Sequence, residues 1–162
     1  MLKYVKNGGE LFYLKKIICI LFVGLLLVGC SNTKQTIKEE NWKESSLFES
    51  DGYTMIGEKE RLGFIYDDSE VLRFYPNKTQ KYMWHFWGED QEFNGKLKVV
   101  ATHENDNEQI TVLKDIVVGD AHNGADRHTP SNMSLPKSGM WKLDAYFGDK
   151  PFGSVYVKVH KK

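Results

Sequence analysis

The sequence predicts an all-β protein, an antiparallel sandwich of about seven or eight strands, with a small β-barrel as the alternative. After residue 46 the chain is a series of short runs rich in Val, Ile, Tyr, Phe and Trp, separated by Gly, Asn, Asp and Pro. The whole chain has only four alanines, and no stretch after residue 46 keeps a helical period. Several short strands at near-regular spacing are typical of a sandwich or a barrel.

Eight runs are predicted as strands because β-branched and aromatic residues are concentrated in them and turn-forming residues separate them. In chain order they are Tyr53–Ile56, Leu62–Tyr66, Val71–Tyr75, Lys81–Trp87, Lys96–Thr102, Ile110–Val118, Met140–Phe147 and Ser154–Val159. The last two runs alternate apolar and polar residues, as half-buried strands do. Gly148-Asp149 lies between them and predicts a hairpin.

Residues 1–29 have the pattern of a secretory signal peptide. Lys15-Lys16 is a basic flank, Ile17–Val28 is an apolar run of 12 residues, and Gly29 is a small residue before Cys30. The run is shorter than the ~18–20 apolar residues that span a bilayer. We therefore expect removal of residues 1–29 upon export.

The four residues Leu27-Val28-Gly29-Cys30 resemble the lipobox of bacterial lipoproteins. The resemblance implies that Cys30 carries lipid, of the palmitate type, and becomes the first residue of the mature chain. More than one acyl chain on this residue is what stable anchoring requires. The expected location is the extracytoplasmic face of the cell membrane, with the membrane itself as a partner.

The segment 30–46 is predicted to be a flexible tether, and 47–162 to be the folded domain. Ile37 and Trp42 are the only sizeable apolar residues between Ser31 and Ser46. Such a composition buries too little surface to offset the entropy of the chain. The tether would hold the domain away from the bilayer.

The net charge of zero is a sum over two parts. The full chain has 22 Lys and Arg against 22 Asp and Glu, and residues 1–29 hold four lysines and one glutamate. Removal of residues 1–29 leaves 18 positive and 21 negative side chains, a net charge of −3. A nucleic-acid partner is not expected, because such proteins normally have a basic excess or a basic patch.

The run around Trp141 resembles strand F of immunoglobulin-like sandwiches. In that strand a small residue, a large aromatic residue and a core residue follow at intervals of two, and here Gly139, Trp141 and Leu143 take those places without the disulfide cysteine. The resemblance implies an immunoglobulin-like fold over roughly residues 53–159.

Several stretches also resemble a family of uncharacterised lipoproteins from Gram-positive bacilli. They are Gly57–Ile65, Gln80–Gly88, Asn123–Pro130, Pro136–Tyr146 and Phe152–Ser154. The resemblance implies a surface lipoprotein with a single domain of unknown function. It implies no catalytic residues.

The densest polar segment, residues 119–130, contains Asp-x-His twice: Asp120 with His122, and Asp126 with His128. Imidazole and carboxylate are ligands for Zn²⁺, and His85 or His103 could complete a set. The spacing matches no established metal motif, however. Hydrogen bonds that organise a loop, or contact with a ligand or partner, are the alternatives. No cofactor is otherwise expected.

The run Tyr82–Trp87 is predicted to have two contrasting faces. Tyr82, Trp84 and Phe86 would fill the core, whereas Met83, His85 and Trp87 would point the other way. If exposed, this second face would be a binding surface for a partner or a glycan. The alternative is that a loop, or the segment around Leu47-Phe48, covers it.

Catalysis has little support in the sequence. Ser154 lies in no Gly-x-Ser-x-Gly elbow, lipidation would consume Cys30, and the carboxylates of Asp67-Asp68 and Glu89-Asp90 are typical of solvated turns. The expected function is therefore a non-enzymatic binding module for an envelope protein, a wall polymer or a secreted factor. A zinc-type, metal-dependent site in the 120–128 segment is the alternative, with a metal-dependent hydrolase as its enzymatic form.

Overall fold

In the computed structural model, residues 41–161 are described, and they form nine β-strands in two antiparallel sheets. The strands are β1 (Leu47–Ser50), β2 (Tyr53–Glu58), β3 (Leu62–Ile65), β4 (Gln80–Phe86), β5 (Leu97–His103), β6 (Gln109–Ile116), β7 (Arg127–Met133), β8 (Gly139–Phe147) and β9 (Lys150–Val159). A 3-10 turn, Asp90–Phe93, precedes β5. The predicted signal peptide and Cys30 lie outside the described residues.

The five-stranded sheet has the order β1-β2-β3-β4-β7, and the four-stranded sheet has the order β6-β5-β8-β9. The all-β sandwich is thereby confirmed. The strands form two sheets and not one closed barrel, so the barrel alternative is wrong.

The inward faces of both sheets form one core. Trp84 and Phe86 of β4 and Trp141 and Leu143 of β8 are each fully buried. Their rows continue as predicted, because alternate residues of a strand point to the same face. The buried members of the rows are Tyr82, Leu97, Val99, Ala101, Ala145, Phe147, Val155, Val157 and Val159.

The predicted hairpin between the last two strands is present. Phe147 of β8 is paired with Lys150 of β9, which leaves Gly148-Asp149 as a two-residue turn. Gly148 has a φ of +60°. Glycine favours this position, since a side chain there would be strained.

Residues 71–75 were predicted as a strand and form turns instead. The backbone N–H groups of Leu72 and Arg73 both donate to the carbonyl of Ser69, at 3.0 and 2.9 Å. Phe74 still enters the core and makes an isolated bridge with Val159. The run thus supplies a core residue without a strand.

β7 was missed because its sequence is polar and contains Pro130. Proline has no N–H for a sheet ladder and is restricted to edge strands and bulges. Among the named strands β7 pairs with β4 alone, and its other side makes one isolated bridge, between His128 and Gly119. Pro130 therefore lies on an edge strand, where the missing donor is tolerated. The predicted loop over residues 119–130 is thus a loop followed by the first half of a strand.

The two ends of the sandwich are distinct. At one end, called the top, β4, β6 and β8 finish and β5, β7 and β9 begin. At the other end, called the base, β9 finishes and the N–H of His160 donates to the carbonyl of Phe74. The loops that follow β4 and β6 therefore lie at the top, and the loop between β3 and β4 lies at the base.

The last residues of the predicted tether contact the domain. Ser45 and Tyr156 are joined by two hydrogen bonds, of 3.0 and 2.9 Å, and the N–H of Lys158 donates to the carboxylate of Glu44 at 3.2 Å. The ring of Trp42 meets that of Tyr156 edge-on, with centroids 6.1 Å apart. Residues 42–46 thus cover the free edge of β9, and the chain reaches the sandwich at its base.

Within residues 41–161 there is no helix with the length and apolar character that crossing a membrane would demand.

Candidate functional site

The two separately predicted sites lie in a single region of the structure. His85 of β4 is directly opposite His128 of β7 in the sheet register. The ring of His122, in the loop before β7, lies 6.3 Å from that of His85 and 4.7 Å from that of His128. The outer face of the five-stranded sheet therefore has three histidines in a row.

A tight turn at Asn123-Gly124 brings this loop back over the sheet. His122 and Ala125 exchange two backbone hydrogen bonds of 3.0 Å each. Asn123 and Gly124 have φ values of +48° and +75°. Two central residues with positive φ are what a type I′ turn requires, and Asn-Gly is the dipeptide that adopts it most readily.

Four hydrogen bonds that involve side chains fasten the loop to the sheet and its margins. The indole N–H of Trp87 donates to the carbonyl of Gly124 at 2.6 Å, and the Asn123 amide donates to Nε2 of His85 at 3.3 Å. The Ser50 hydroxyl donates to the Asn123 carbonyl at 3.4 Å. The N–H of Gly88 donates to the Asp126 carboxylate at 2.9 Å. The loop is consequently part of the folded structure.

Phe48 of β1 covers a further part of the outer face of the five-stranded sheet. The ring of Phe48 lies 6.0 Å from that of Trp87 and packs over the backbone of Gly63. His85 is 0% exposed, and Met83 and Trp87 are half-buried. The loop and Phe48 thus cover this face, which is the second of the two interpretations, and Met83, His85 and Trp87 do not form an open binding surface.

The buried ring of His85 is neutral because both its nitrogens are committed. The carbonyl of Met83, 3.1 Å from Nδ1, can only accept a hydrogen bond, so Nδ1 carries the proton. Nε2 then accepts from Asn123. Burial, with smaller contributions from His122 and His128, lowers the pKa of His85 to about 4. Protonation would place a charge in a dry site and break the bond to Asn123.

The four predicted metal ligands are close in sequence but differ in their hydrogen-bond partners and in their exposure. The Nδ1–H of His128 donates to the backbone carbonyl of Asp120 at 2.6 Å, and the Asp126 carboxylate is held by Gly88. His122 is exposed. In the part of the chain that the structure describes, no three His, Cys, Asp or Glu side chains are grouped to hold a metal ion.

His85 and His103, the two residues that were expected to complete such a set, have different positions. His85 is next to His122. His103 is at the base, at the end of β5, where its ring nitrogens lie 3.1 Å from the Asp106 carboxylate and 3.2 Å from the Ser138 carbonyl. It is therefore at the wrong end of the sandwich to join the 120–128 loop.

Two arginines that the sequence analysis missed organise the top. The Arg61 guanidinium stacks on the ring of Phe152 at 3.6 Å, donates to the Phe152 carbonyl at 3.0 Å and pairs with Glu92 at 2.9 Å. Arg127 pairs with Asp90 at 2.7 Å. These bonds fix the segment after β4 to the sandwich.

The result is an open groove at the top between the segments after β4 and β6. Its volume is about 520 Å³, and its lining is mostly polar: Gly88, Glu89, Asp90, Gln91, Ala121, Asp126 and Arg127. The Gly88–Asp126 hydrogen bond joins its two walls, and the Arg127–Asp90 ion pair lies at its margin. We call it the top groove.

One local signal in the sequence could have located this arrangement. Asn123-Gly124 is the dipeptide of a type I′ turn, and it predicts that the chain reverses there. The ion pairs of Arg61 and Arg127 join residues about thirty positions apart, and the sequence has no periodic signal for such contacts.

The comparisons with known proteins agree with the fold. A solved X-ray structure described as a "Putative Lipoprotein from Bacillus anthracis" is similar, with a TM-score of 0.60 and 24% identity over 76% of this chain and 89% of that chain. No curated protein matches the sequence. The family of the Domain of unknown function DUF4871 matches residues 32–157. The chain thus belongs to the DUF4871 family.

Proposed function

We propose that this protein is a lipoprotein anchored by lipid at the extracytoplasmic face of the cell membrane and that its sandwich is a binding module whose recognition surface is the top groove. The observation that carries the proposal is the position of the groove, at the opposite end of the sandwich from residues 42–44. An anchor at Cys30 would attach at the base and leave the top facing outward.

The anchoring part of the proposal is supported by the sequence around Cys30. A basic flank, an apolar run and Gly29-Cys30 coincide there. The B. anthracis structure with the similar fold is described as that of a "Putative Lipoprotein", which agrees with this part.

The binding part is supported by the construction of the top groove. Loops held by a rigid sheet scaffold are common sites of recognition. The groove is wide and shallow, and its walls carry carboxylates, an amide and a guanidinium. Such a surface suits part of an envelope protein or a wall polymer. We propose binding without catalysis, because the mature chain would have neither a free thiol nor a nucleophile elbow.

We further propose that the sandwich is of the immunoglobulin-like type. In that fold strand F lies between strands C and G, and variable-type domains add C′ beside C. The order β6-β5-β8-β9 corresponds to C′-C-F-G. In this proposal Trp141 and Leu143 would lie on strand F, as the resemblance implies, whereas Trp84 would lie on strand B.

The zinc-type alternative at Asp120, His122, Asp126 and His128 has no comparable support. The described residues contain no metal-ligand cluster, and the Asp126 carboxylate already accepts a bond from Gly88. Metal analysis of the purified protein is the measurement that tests it.

Replacing Cys30 with serine is expected to abolish lipidation and membrane anchoring. Serine has no thiol for the thioether bond, so incorporation of a labelled fatty acid should fall to background. In contrast, Cys19→Ser should leave labelling unchanged, because Cys19 lies in the apolar run that is removed. Labelled fatty acid in the Cys30→Ser protein would contradict the proposed anchor.

Replacing Ala121 with arginine is expected to block recognition at the top groove. Ala121 lines the groove and is exposed, so the longer side chain would fill the groove while the fold is kept. After cross-linking on intact cells, the envelope material that co-purifies with the wild type should be lost. Asn105→Arg, an exposed change at the base, is the matched control and should keep it. Equal recovery with both variants would contradict the assignment of the groove.

A further inference from the structure

We propose that the base of the sandwich is a membrane-contacting surface that rests on anionic lipid headgroups through Val71, Lys78, Lys81 and Lys161. We call these four residues the basal patch. This inference rests on the proposed anchor at Cys30, which would keep the base within the length of the tether from the bilayer, and it departs from the expectation that the tether holds the domain away.

The position of the patch follows from where the chain reaches the sandwich. The Glu44 carboxylate accepts a hydrogen bond from the N–H of Lys158 near the end of β9. Two residues later, the N–H of His160 donates to the carbonyl of Phe74 in the loop between β3 and β4. Ten residues, 31–40, separate Cys30 from the first described residue. Eleven chain steps span at most about 40 Å. The base is thus the end of the domain that a lipid on Cys30 would hold close to the membrane.

The three lysines of the basal patch lie around the loop between β3 and β4. A shallow depression is lined by Val71, Lys78 and Lys81, and a second one by Tyr75, Lys78 and Lys161. Lys78 and Glu70 belong to both, so the two depressions adjoin. None of the three lysines forms an ion pair with a described residue.

Three acidic side chains lie near the patch, Asp67, Asp68 and Glu70, and Arg73 offsets one of their three charges. Arg73 pairs with Asp68 at 2.9 Å and with Glu70 at 3.6 Å. Glu70 also accepts a hydrogen bond from the Tyr75 hydroxyl at 2.7 Å. Lys78, Lys81 and Lys161 with Arg73 outnumber these three carboxylates by one charge, so the region is locally positive, although the mature chain as a whole has a net charge of −3. The ammonium of Lys78 also lies 5.3 Å from the centre of the Tyr75 ring.

An apolar side chain accompanies these charges. Val71 is 73% exposed, and it adjoins Lys78 and Lys81. Peripheral membrane surfaces combine basic residues for anionic headgroups with apolar residues that enter the interface. The combination favours a lipid surface over a purely polar anion as the occupant.

Vesicle binding of the non-lipidated chain from Ser31 onward, which contains the whole compact unit 40–162, tests the charge component. We expect binding to vesicles of phosphatidylcholine and phosphatidylglycerol, and not to phosphatidylcholine alone. A lysine near an anionic surface strengthens binding about fivefold. The Lys78→Glu, Lys161→Glu double variant should therefore bind at least ~25-fold more weakly. The matched control is Lys96→Glu, Lys150→Glu at the top, which changes the net charge equally and should bind like the wild type.

A fluorescent label tests the apolar component. The chain has no cysteine after Cys30, so Val71→Cys supplies a single thiol for an environment-sensitive dye. Its emission should shift to the blue on phosphatidylglycerol vesicles, whereas the dye on Asp149→Cys, at the top, should not respond. Equal binding to both kinds of vesicle, equal loss in both double variants, or a blue shift only at Asp149→Cys would overturn the proposal. Because no lipid anchor is present, these outcomes are independent of the Cys30→Ser result.

Discussion

The Gly57→Ala variant is expected to lose about 3 kcal/mol or more of its free energy of unfolding, from backbone strain and from overlap together. Gly57 has a φ of +148°, and an added Cβ would lie 2.2 Å from the carbonyl oxygen of Leu62 and 2.7 Å from Cα of Gly63. All these contacts are with backbone, so no side chain can move aside. Urea unfolding of the purified variant measures the change.

Gly52→Ala is the matched control for strain alone. Gly52 has a φ of +79°, but nothing lies within 4 Å of its added Cβ. We expect a loss of about 1 kcal/mol there. If Gly57→Ala cost no more than Gly52→Ala, the close pairing of Gly57 with Gly63 would be wrong.

The Gly57–Gly63 pair has a consequence for the site. The two glycines are directly opposite each other in β2 and β3, and the absence of a side chain at Gly63 leaves room for the ring of Phe48. Phe48 in turn contacts Trp87, which holds the loop at Gly124. Partial loss of this packing should therefore loosen the 119–126 loop before the core unfolds.

The stability of the protein is expected to fall by about 2 kcal/mol between pH 7 and pH 5 on account of His85 alone. The pKa of His85 is lowered to about 4 in the folded state, from an ordinary value near 6.5 in the unfolded chain. The unfolded chain therefore binds more protons over this interval. The contribution of neutral His85 to stability is complete above pH 6.5 and is lost as the pH falls towards 4.

His85→Gln tests this directly. A glutamine amide has a donor for the Met83 carbonyl and an acceptor for Asn123, but it does not titrate in this range. The difference in unfolding free energy between pH 7 and pH 5 should shrink by about 2 kcal/mol in this variant. Met83→Leu, a neighbouring change without a titratable group, should keep the wild-type difference. An unchanged pH dependence in His85→Gln would show that another group dominates.

Sequence reasoning succeeded for strands with a clear pattern of β-branched and aromatic residues, and it was wrong at residues 71–75 and at β7. Seven predicted runs correspond to strands, and the core faces of β4, β5, β8 and β9 follow their alternation. The strand predicted at residues 71–75 is absent because a local turn at Ser69 is formed there despite their strand propensity. β7 was not predicted because proline, here Pro130, is acceptable only on an edge strand. Whether a strand lies at an edge depends on the pairing of the whole sheet.

For the candidate site, the sequence indicated the residue types but not their arrangement. It marked the 120–128 segment and the Met83, His85, Trp87 face separately. The register between β4 and β7 makes them one region, with His85 opposite His128. The coverage of His85, the place of His103 at the base and the ion pairs of Arg61 and Arg127 all depend on strands that are remote in sequence.

The sequence by itself determined the all-β class, the alternating core faces and the final hairpin, because a period of two and a two-residue turn are local properties of the chain. The tertiary structure alone decided which strands pair, which face of β4 is covered, and that the chain reaches the base while the groove lies at the top. These features arise from pairings between remote segments, whose choice depends on packing over the whole sandwich.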